Sequence, residues 1–172
     1  AMRRALVLAC AALGAAGALT AQTVTARVGL ELTATSSYPY NRVLVPITVD
    51  MSASGGARLG SYTARLTWNP VVLGFNGQYY WSGRQDSLLL GNFPVPTVNT
   101  DSLYDGVLRF TAVSPPGVSG LVTVAQLPFY VNDTTSTTLQ LSFSEMSAAG
   151  TFTNLLPILT VQNATHCGAR GG

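Results

Sequence analysis

Of the 172 residues only 9% are charged while 47% are apolar, and all nine basic residues are arginine. That balance argues against an intrinsically disordered chain, which is apolar-poor and charge-rich. It also argues against a nucleic-acid binder, which needs a basic stripe to neutralise phosphates, and the Ala/Glu/Lys/Leu heptads of a coiled coil are missing.

Arg3 and Arg4 precede an apolar run over residues 5–19, which ends near Ala16-Gly17-Ala18. A short positive region, an apolar region and small residues at its end read as a secretory signal peptide, residues 1–21. The run is short for a membrane span and is weakened by Gly14 and Gly17. Its removal leaves seven arginines against seven carboxylates. The secreted chain then has no net charge to steer it towards nucleic acid or an acidic membrane. Cys10 leaves with the signal, so Cys167 stands alone ahead of a flexible tail at 168–172. An odd cysteine in a secreted chain reads as an intermolecular contact, a free thiol or a missing partner, the last implying a native chain that continues past Gly172.

From residue 24 onward the pattern is period two. Val24, Ala26, Val28, Leu30 and Leu32 alternate with polar or small residues, as do Val43, Val45, Ile47 and Val49. Pro46 faces the other way and predicts an edge or a bulge. Tyr62, Ala64, Leu66 and Trp68 alternate with Ser61, Thr63, Arg65 and Thr67 until Asn69-Pro70 breaks the strand. A strand at 71–75 follows. Asp105-Gly106 opens a strand at 107–113, which Pro115-Pro116-Gly117 is expected to close. Residues 121–131, then Leu139, Leu141 and Phe143, then residues 158–162 complete the series. Eight or nine short strands with Gly, Pro and Asn turns and no sustained helical period predict one all-β sandwich or barrel of mainly antiparallel sheets.

Catalytic chemistry has little to work with. The single histidine, His166, adjoins Cys167, but neighbours on an extended tail point apart. Glu31 and Glu145, the only glutamates, sit on exposed strand positions and not across a cleft. Residues 101–106 hold two carboxylates where calcium wants six to eight oxygens, so a hairpin turn is the better reading. One histidine and one cysteine cannot build a structural zinc site. No metal, cofactor or catalytic turnover on polysaccharides or esters is therefore expected. Aromatic residues gather at Tyr38 and Tyr40, and again at Tyr79, Tyr80 and Trp81. They either cap the open ends of the sandwich or, as exposed rings, stack on sugars or anchor a protein interface. The sequons at Asn132 and Asn163 could carry glycans in a suitable host, but the arginine-only basic set suggests a GC-rich bacterial genome.

Three stretches together resemble a cohesin domain, the receptor module of bacterial cellulosome-type assemblies. They are Val43-Leu44-Val45-Pro46-Ile47-Thr48-Val49, residues 59–73 with the turn Trp68-Asn69-Pro70-Val71-Val72-Leu73, and Asp105-Gly106-Val107-Leu108-Arg109-Phe110, followed by Gly120 and the strand ending Leu127-Pro128-Phe129-Tyr130-Val131. The resemblance spans about residues 24–167 and places the domain at 22–167. It implies a nine-stranded antiparallel β-sandwich with jelly-roll topology and a non-catalytic, secreted protein-interaction module with a dockerin-like partner. The chain departs from the family in having Asn69 where many cohesins have Asp before the turn proline. It also has Ser61 and Thr63 where dockerin-binding cohesins carry an Asn-x-Asp pair, so the acidic acceptor of that contact is gone. The candidate partner-binding row is Ser61, Thr63, Arg65 and Thr67, outward on one strand, with Arg65 its only ion. The alternative is an extracellular polysaccharide bound by Tyr79, Tyr80 and Trp81, or a purely structural sandwich.

Overall fold

Strict alternation of apolar and polar side chains gives each strand one face that must leave water, and two sheets bury those faces against each other. The computed structural model describes residues 21–33, 42–75 and 91–167. Residues 1–20, which hold most of the expected signal peptide, and the aromatic residues Tyr38, Tyr40, Tyr79, Tyr80 and Trp81 lie outside them. The strands are β1 (Val24–Val28), β2 (Glu31–Thr33), β3 (Arg42–Asp50), β4 (Leu59–Thr67), β5 (Leu73–Phe75), β6 (Thr97–Asn99), β7 (Val107–Val118), β8 (Leu121–Val131), β9 (Thr137–Ala148), β10 (Leu159–Gln162) and β11 (Ala164–His166). One sheet runs β10-β1-β3-β8-β5, with β2 also on β3; the other runs β11-β9-β4-β7-β6. The chain is an all-β sandwich. Among the described residues the helical segments are 3-10 turns at Leu103–Asp105 and Leu156–Ile158.

The described residues form eleven strand segments, where nine were expected. The stretch at 24–32 is split into β1 and β2, and β6 and β11 lie outside the period-two stretches of the sequence. β1 and β2 lie in line along β3 and are separated at Gly29 and Leu30. β10 and β11 are separated by Asn163 alone and belong to opposite sheets. The Asn163 side-chain oxygen accepts the Leu141 N–H at 2.9 Å and fixes that switch. The ladders are antiparallel except for β1 with β10, which is parallel.

Both proline expectations are refined. β3 is an interior strand, flanked by β1 and β2 on one side and β8 on the other, so Pro46 is not on a sheet edge. Its carbonyl accepts the Gly29 N–H at 2.8 Å. A residue's N and C=O point to the same side of a strand, so the missing donor faces the β1–β2 break, where no ladder bond is lost. Pro115-Pro116-Gly117 does not end its strand either. β7 continues to Val118, which pairs with Leu59, while the register jumps from Val113 opposite Ser61. The intervening residues loop out of the ladder, and this is how two adjacent prolines without N–H groups are accommodated. Arg58 donates to the Gly117 carbonyl at 2.8 Å and closes the loop.

Tyr62, Ala64, Leu66 and Trp68 all point inward and are buried. Two of them cross-link the sheets. The Tyr62 hydroxyl donates to the Val124 carbonyl at 2.8 Å, and the Trp68 indole N–H donates to the Leu73 carbonyl at 2.7 Å. Val124 is the extra residue where the β3–β8 register shifts between Ile47 and Thr48. A bulge leaves such a residue out of its ladder, and here its carbonyl accepts the tyrosine instead. Burial pushes the Tyr62 phenol well above its ordinary pKa. Phe93, Phe110 and Phe143 surround the Tyr62 ring at centroid distances of 5.6, 6.0 and 6.2 Å.

His166 ends β11 with 6% of its surface exposed, and its Nε2 has no hydrogen-bond partner. Burial holds its pKa below the ordinary histidine value. The unfolded chain therefore takes up a proton near pH 6.5 that the folded chain resists, and the domain should lose stability as pH falls through that value. Urea midpoints measured from about pH 7 to about pH 5 should fall for the native chain and flatten in His166→Gln. A slope that His166→Gln leaves unchanged would assign the effect to other groups.

Candidate functional site

β4 lies between β7 and β9 in the centre of its sheet, so its outward residues occupy the middle of an open face. Ser61, Thr63, Arg65 and Thr67 do share that face, as period two requires, and Arg65 is the most exposed of them. The row does not stand alone. On β7 Val113 lies opposite Ser61, Thr111 opposite Thr63, Arg109 opposite Arg65 and Val107 opposite Thr67. On β9 the opposing residues are Ser147, Glu145, Ser142 and Gln140.

A β-bulge shapes this face. The β4–β9 register shifts between Thr63 and Ala64, leaving Ser144 as an extra residue. Phe143 can then pack against Tyr62 while Met146 is also buried, and both Ser144 and Glu145 are exposed. Unbroken alternation after Phe143 would have turned Glu145 inward, so the bulge brings this carboxylate to the face.

Hydroxyl groups on the face largely satisfy one another. Ser61 Oγ and Ser147 Oγ are 2.7 Å apart, and Thr63 Oγ1 and Thr111 Oγ1 are 3.3 Å apart. Thr111 spends its one hydrogen on the Tyr62 carbonyl at 2.8 Å, so Thr63 is the donor in the threonine pair. Arg65 and Arg109 differ from these neighbours. Among the described residues neither guanidinium has a hydrogen bond or an ion pair, although the two stand directly opposite each other.

Three depressions mark the face. Arg65 and Thr67 line one of about 450 Å³ with Asp105 and Gln140. Arg109 and Thr63 line another of about 410 Å³ with Asn99 and Asp101. The third, about 540 Å³, lies at the Ser61 end between Val113, Pro115, Ala149 and Phe152. Val113 is 60% exposed and Phe152 81%. Phe152 sits at φ 55°, a left-handed conformation that few non-glycine residues adopt. The Phe152 N–H donates to the Ala148 carbonyl at 3.0 Å, and the Ala148 N–H to the Thr153 carbonyl at 2.9 Å, which holds the turn in place.

The sequence reading found the β4 row but missed Arg109, Val113 and Phe152. Period two marks Arg109 and Val113 as outward on β7, but only the β4–β7 register places them beside the row. No sequence pattern marks Phe152. Its position depends on the turn after β9.

The acidic loop connects β6 to β7, which pair as neighbours, through the turn at Leu103–Asp105. Among the described residues no three His, Cys, Asp or Glu side chains come together in a way that could hold a metal ion. His166 is buried and Cys167 exposed. Tyr79, Tyr80 and Trp81, the candidate sugar-stacking residues, lie outside the described residues.

The geometry defines a class: a two-sheet β-sandwich with one open face of polar side chains, free arginines and an apolar groove. Solved structures make the class more specific. A cohesin from Acetivibrio cellulolyticus, in complex with a dockerin, superposes with a TM-score of 0.60 at 15% identity, covering 86% of this chain and all of that one. A non-cellulosomal cohesin from Archaeoglobus fulgidus gives 0.58 at 15% identity over 83% of this chain and 88% of that one. A cohesin–dockerin complex from Clostridium thermocellum gives 0.55 at 10% identity over 83% and 97%. The chain therefore has a cohesin-like fold. No protein-family model matches the sequence, and no curated protein sequence matches it.

Proposed function

We propose that this chain is a secreted, non-catalytic interaction module that binds a dockerin-type protein through the outward face of β9, β4 and β7. The observation that carries the reading is the face itself. It is central in its sheet and combines an unpaired arginine pair with an exposed apolar groove, the mixture of a polar anchor and a desolvated pocket that protein interfaces use. Solved neighbours of the same fold in complex with dockerins support a partner of that kind.

The test begins with capture on the immobilised domain from the culture supernatant of its own organism. The captured protein is then identified, produced pure and titrated by calorimetry. Ser142 is exposed and opposite Arg65, so Ser142→Trp adds bulk at the centre of the face without removing a bond. It should weaken binding by at least tenfold, whereas Trp81→Ala should leave it unchanged. Arg65→Ala should weaken binding by about 1 kcal/mol or more, with stability inside the surface norm of about ±0.5 kcal/mol. If Trp81→Ala abolishes binding and Ser142→Trp does not, Tyr79, Tyr80 and Trp81 carry the function and the ligand class reverts to polysaccharide.

A further inference from the structure

Arg65 and Arg109 are a like-charged pair at directly opposite positions of the β4–β7 ladder. Residues directly opposite across an antiparallel pair have Cβ atoms about 4.5–5.5 Å apart, and like charges there repel. Their cross-strand neighbours do nothing to offset this. Ser142 lies on the other side of Arg65 and Asn99 on the other side of Arg109, and neither is acidic. Glu145 is opposite Thr63, further along the strand. Asp105 and Asp101 line the depressions beside the two arginines, but neither forms an ion pair with them. Roughly ten N–H donors in two planar forks are thus presented together with no acceptor of their own.

We propose that the protein bound on this face inserts a side-chain carboxylate between Arg65 and Arg109. The proposal rests on the interaction reading above and names the chemistry of its partner. A carboxylate accepts bidentate bonds from a guanidinium, and one placed between two of them converts their repulsion into two charge-assisted contacts. The apolar groove at Val113, Pro115 and Phe152 makes the occupant a polypeptide. Arg65 is four positions along β4 from Ser61, which lines that groove, a distance of about 13 Å along the strand. The partner therefore offers a carboxylate and, about 13 Å away, an apolar side chain. A polyuronate offers only the first.

The experiment uses the captured and identified protein as probe. R65Q and R109Q remove charge from exposed positions, so both variants should fold with an unchanged or slightly raised melting temperature. Each should weaken binding several-fold, and the double variant more than tenfold. The association rate of the native chain should fall with added salt, while that of the double variant should stay nearly flat. Alanine scanning of the probe's Asp and Glu residues should find one whose loss matches the double variant and adds nothing to it. R65E should recover binding when that residue is changed to Arg.

Binding that Ser142→Trp abolishes, but that neither R65Q/R109Q nor salt affects, overturns the carboxylate and leaves the face standing. Binding insensitive to Ser142→Trp as well overturns the interaction reading. Arginine-dependent binding that no single probe carboxylate matches also overturns the proposal. So does arginine-dependent binding of alginate with no protein captured.

Discussion

Trp68→Ala is expected to destabilise the domain by about 3–5 kcal/mol, and Leu66→Ala by about 2–5 kcal/mol. Leu66 is fully buried, so its truncation leaves a cavity that neighbours on two packed sheets can only partly fill. Trp68 adds two further losses. Its ring packs edge-on against Phe129 at 4.9 Å, and its indole N–H is the partner of the Leu73 carbonyl. Alanine strands that carbonyl in the interior and removes one of the two side-chain bonds by which β4 holds the opposite sheet. Arg65→Ala, next to Leu66 in sequence but facing solvent, should change stability by no more than about ±0.5 kcal/mol. Urea melts compared at constant m decide the matter. An Arg65 effect larger than that of Leu66 would mean that the strand faces the other way.

Gly106→Ala should cost at least about 2 kcal/mol, more than the same change at Gly120. Both glycines have left-handed backbones, with φ of 69° and 72°. A Cβ at Gly120 would meet open space, so only the conformational strain of about 1–2 kcal/mol applies there. At Gly106 the added carbon runs into the Trp68 carbonyl and the Pro70 ring. The clash cannot be relieved by a side-chain rotation, because the main obstacle is backbone that is itself bonded. The Trp68 N–H donates to the Gly106 carbonyl at 3.0 Å, and the Gly106 N–H donates to Leu103 at 3.0 Å. Gly106 also lines the depression that contains Arg65, so Gly106→Ala should disturb partner binding while Gly120→Ala leaves it intact. Melting temperatures and calorimetry on the two variants separate strain from contact. Equal losses would show that the close approach to Trp68 matters little.

The two bulges link these stability arguments to the face. At Val124 a displaced carbonyl receives Tyr62 and ties β4 to the opposite sheet from within. At Ser144 the displaced residue lets Phe143 pack against that same tyrosine and turns Glu145 to the outside. A strand held in this way from its buried side can present a fixed row on its other side. A face of this kind suits recognition by preorganised side chains, because little ordering remains to oppose binding.

Period two alone assigned Tyr62, Ala64, Leu66 and Trp68 to the core and Ser61, Thr63, Arg65 and Thr67 to the outside, and it identified the chain as all-β. That information is local, since successive side chains on any extended strand leave on opposite sides. The β8 limits at residues 121 and 131 were legible for the same reason, bounded by Gly120 on one side and by Asn132 and Asp133 on the other. Tertiary structure alone decided which strands are neighbours and in what register. It kept Pro115 and Pro116 within a strand by looping them out of the ladder, moved the chain from one sheet to the other at Asn163, and set at Ser144 the bulge through which Glu145, read as exposed from the sequence, reaches the open face. It also set Arg109 opposite Arg65, 44 positions apart in sequence, and raised Phe152 beside Val113. Such pairings are fixed by packing between distant segments and by where each ladder slips a residue. No window of neighbouring residues encodes them, and for that reason the row was visible in the sequence while the charged pair at its centre was not.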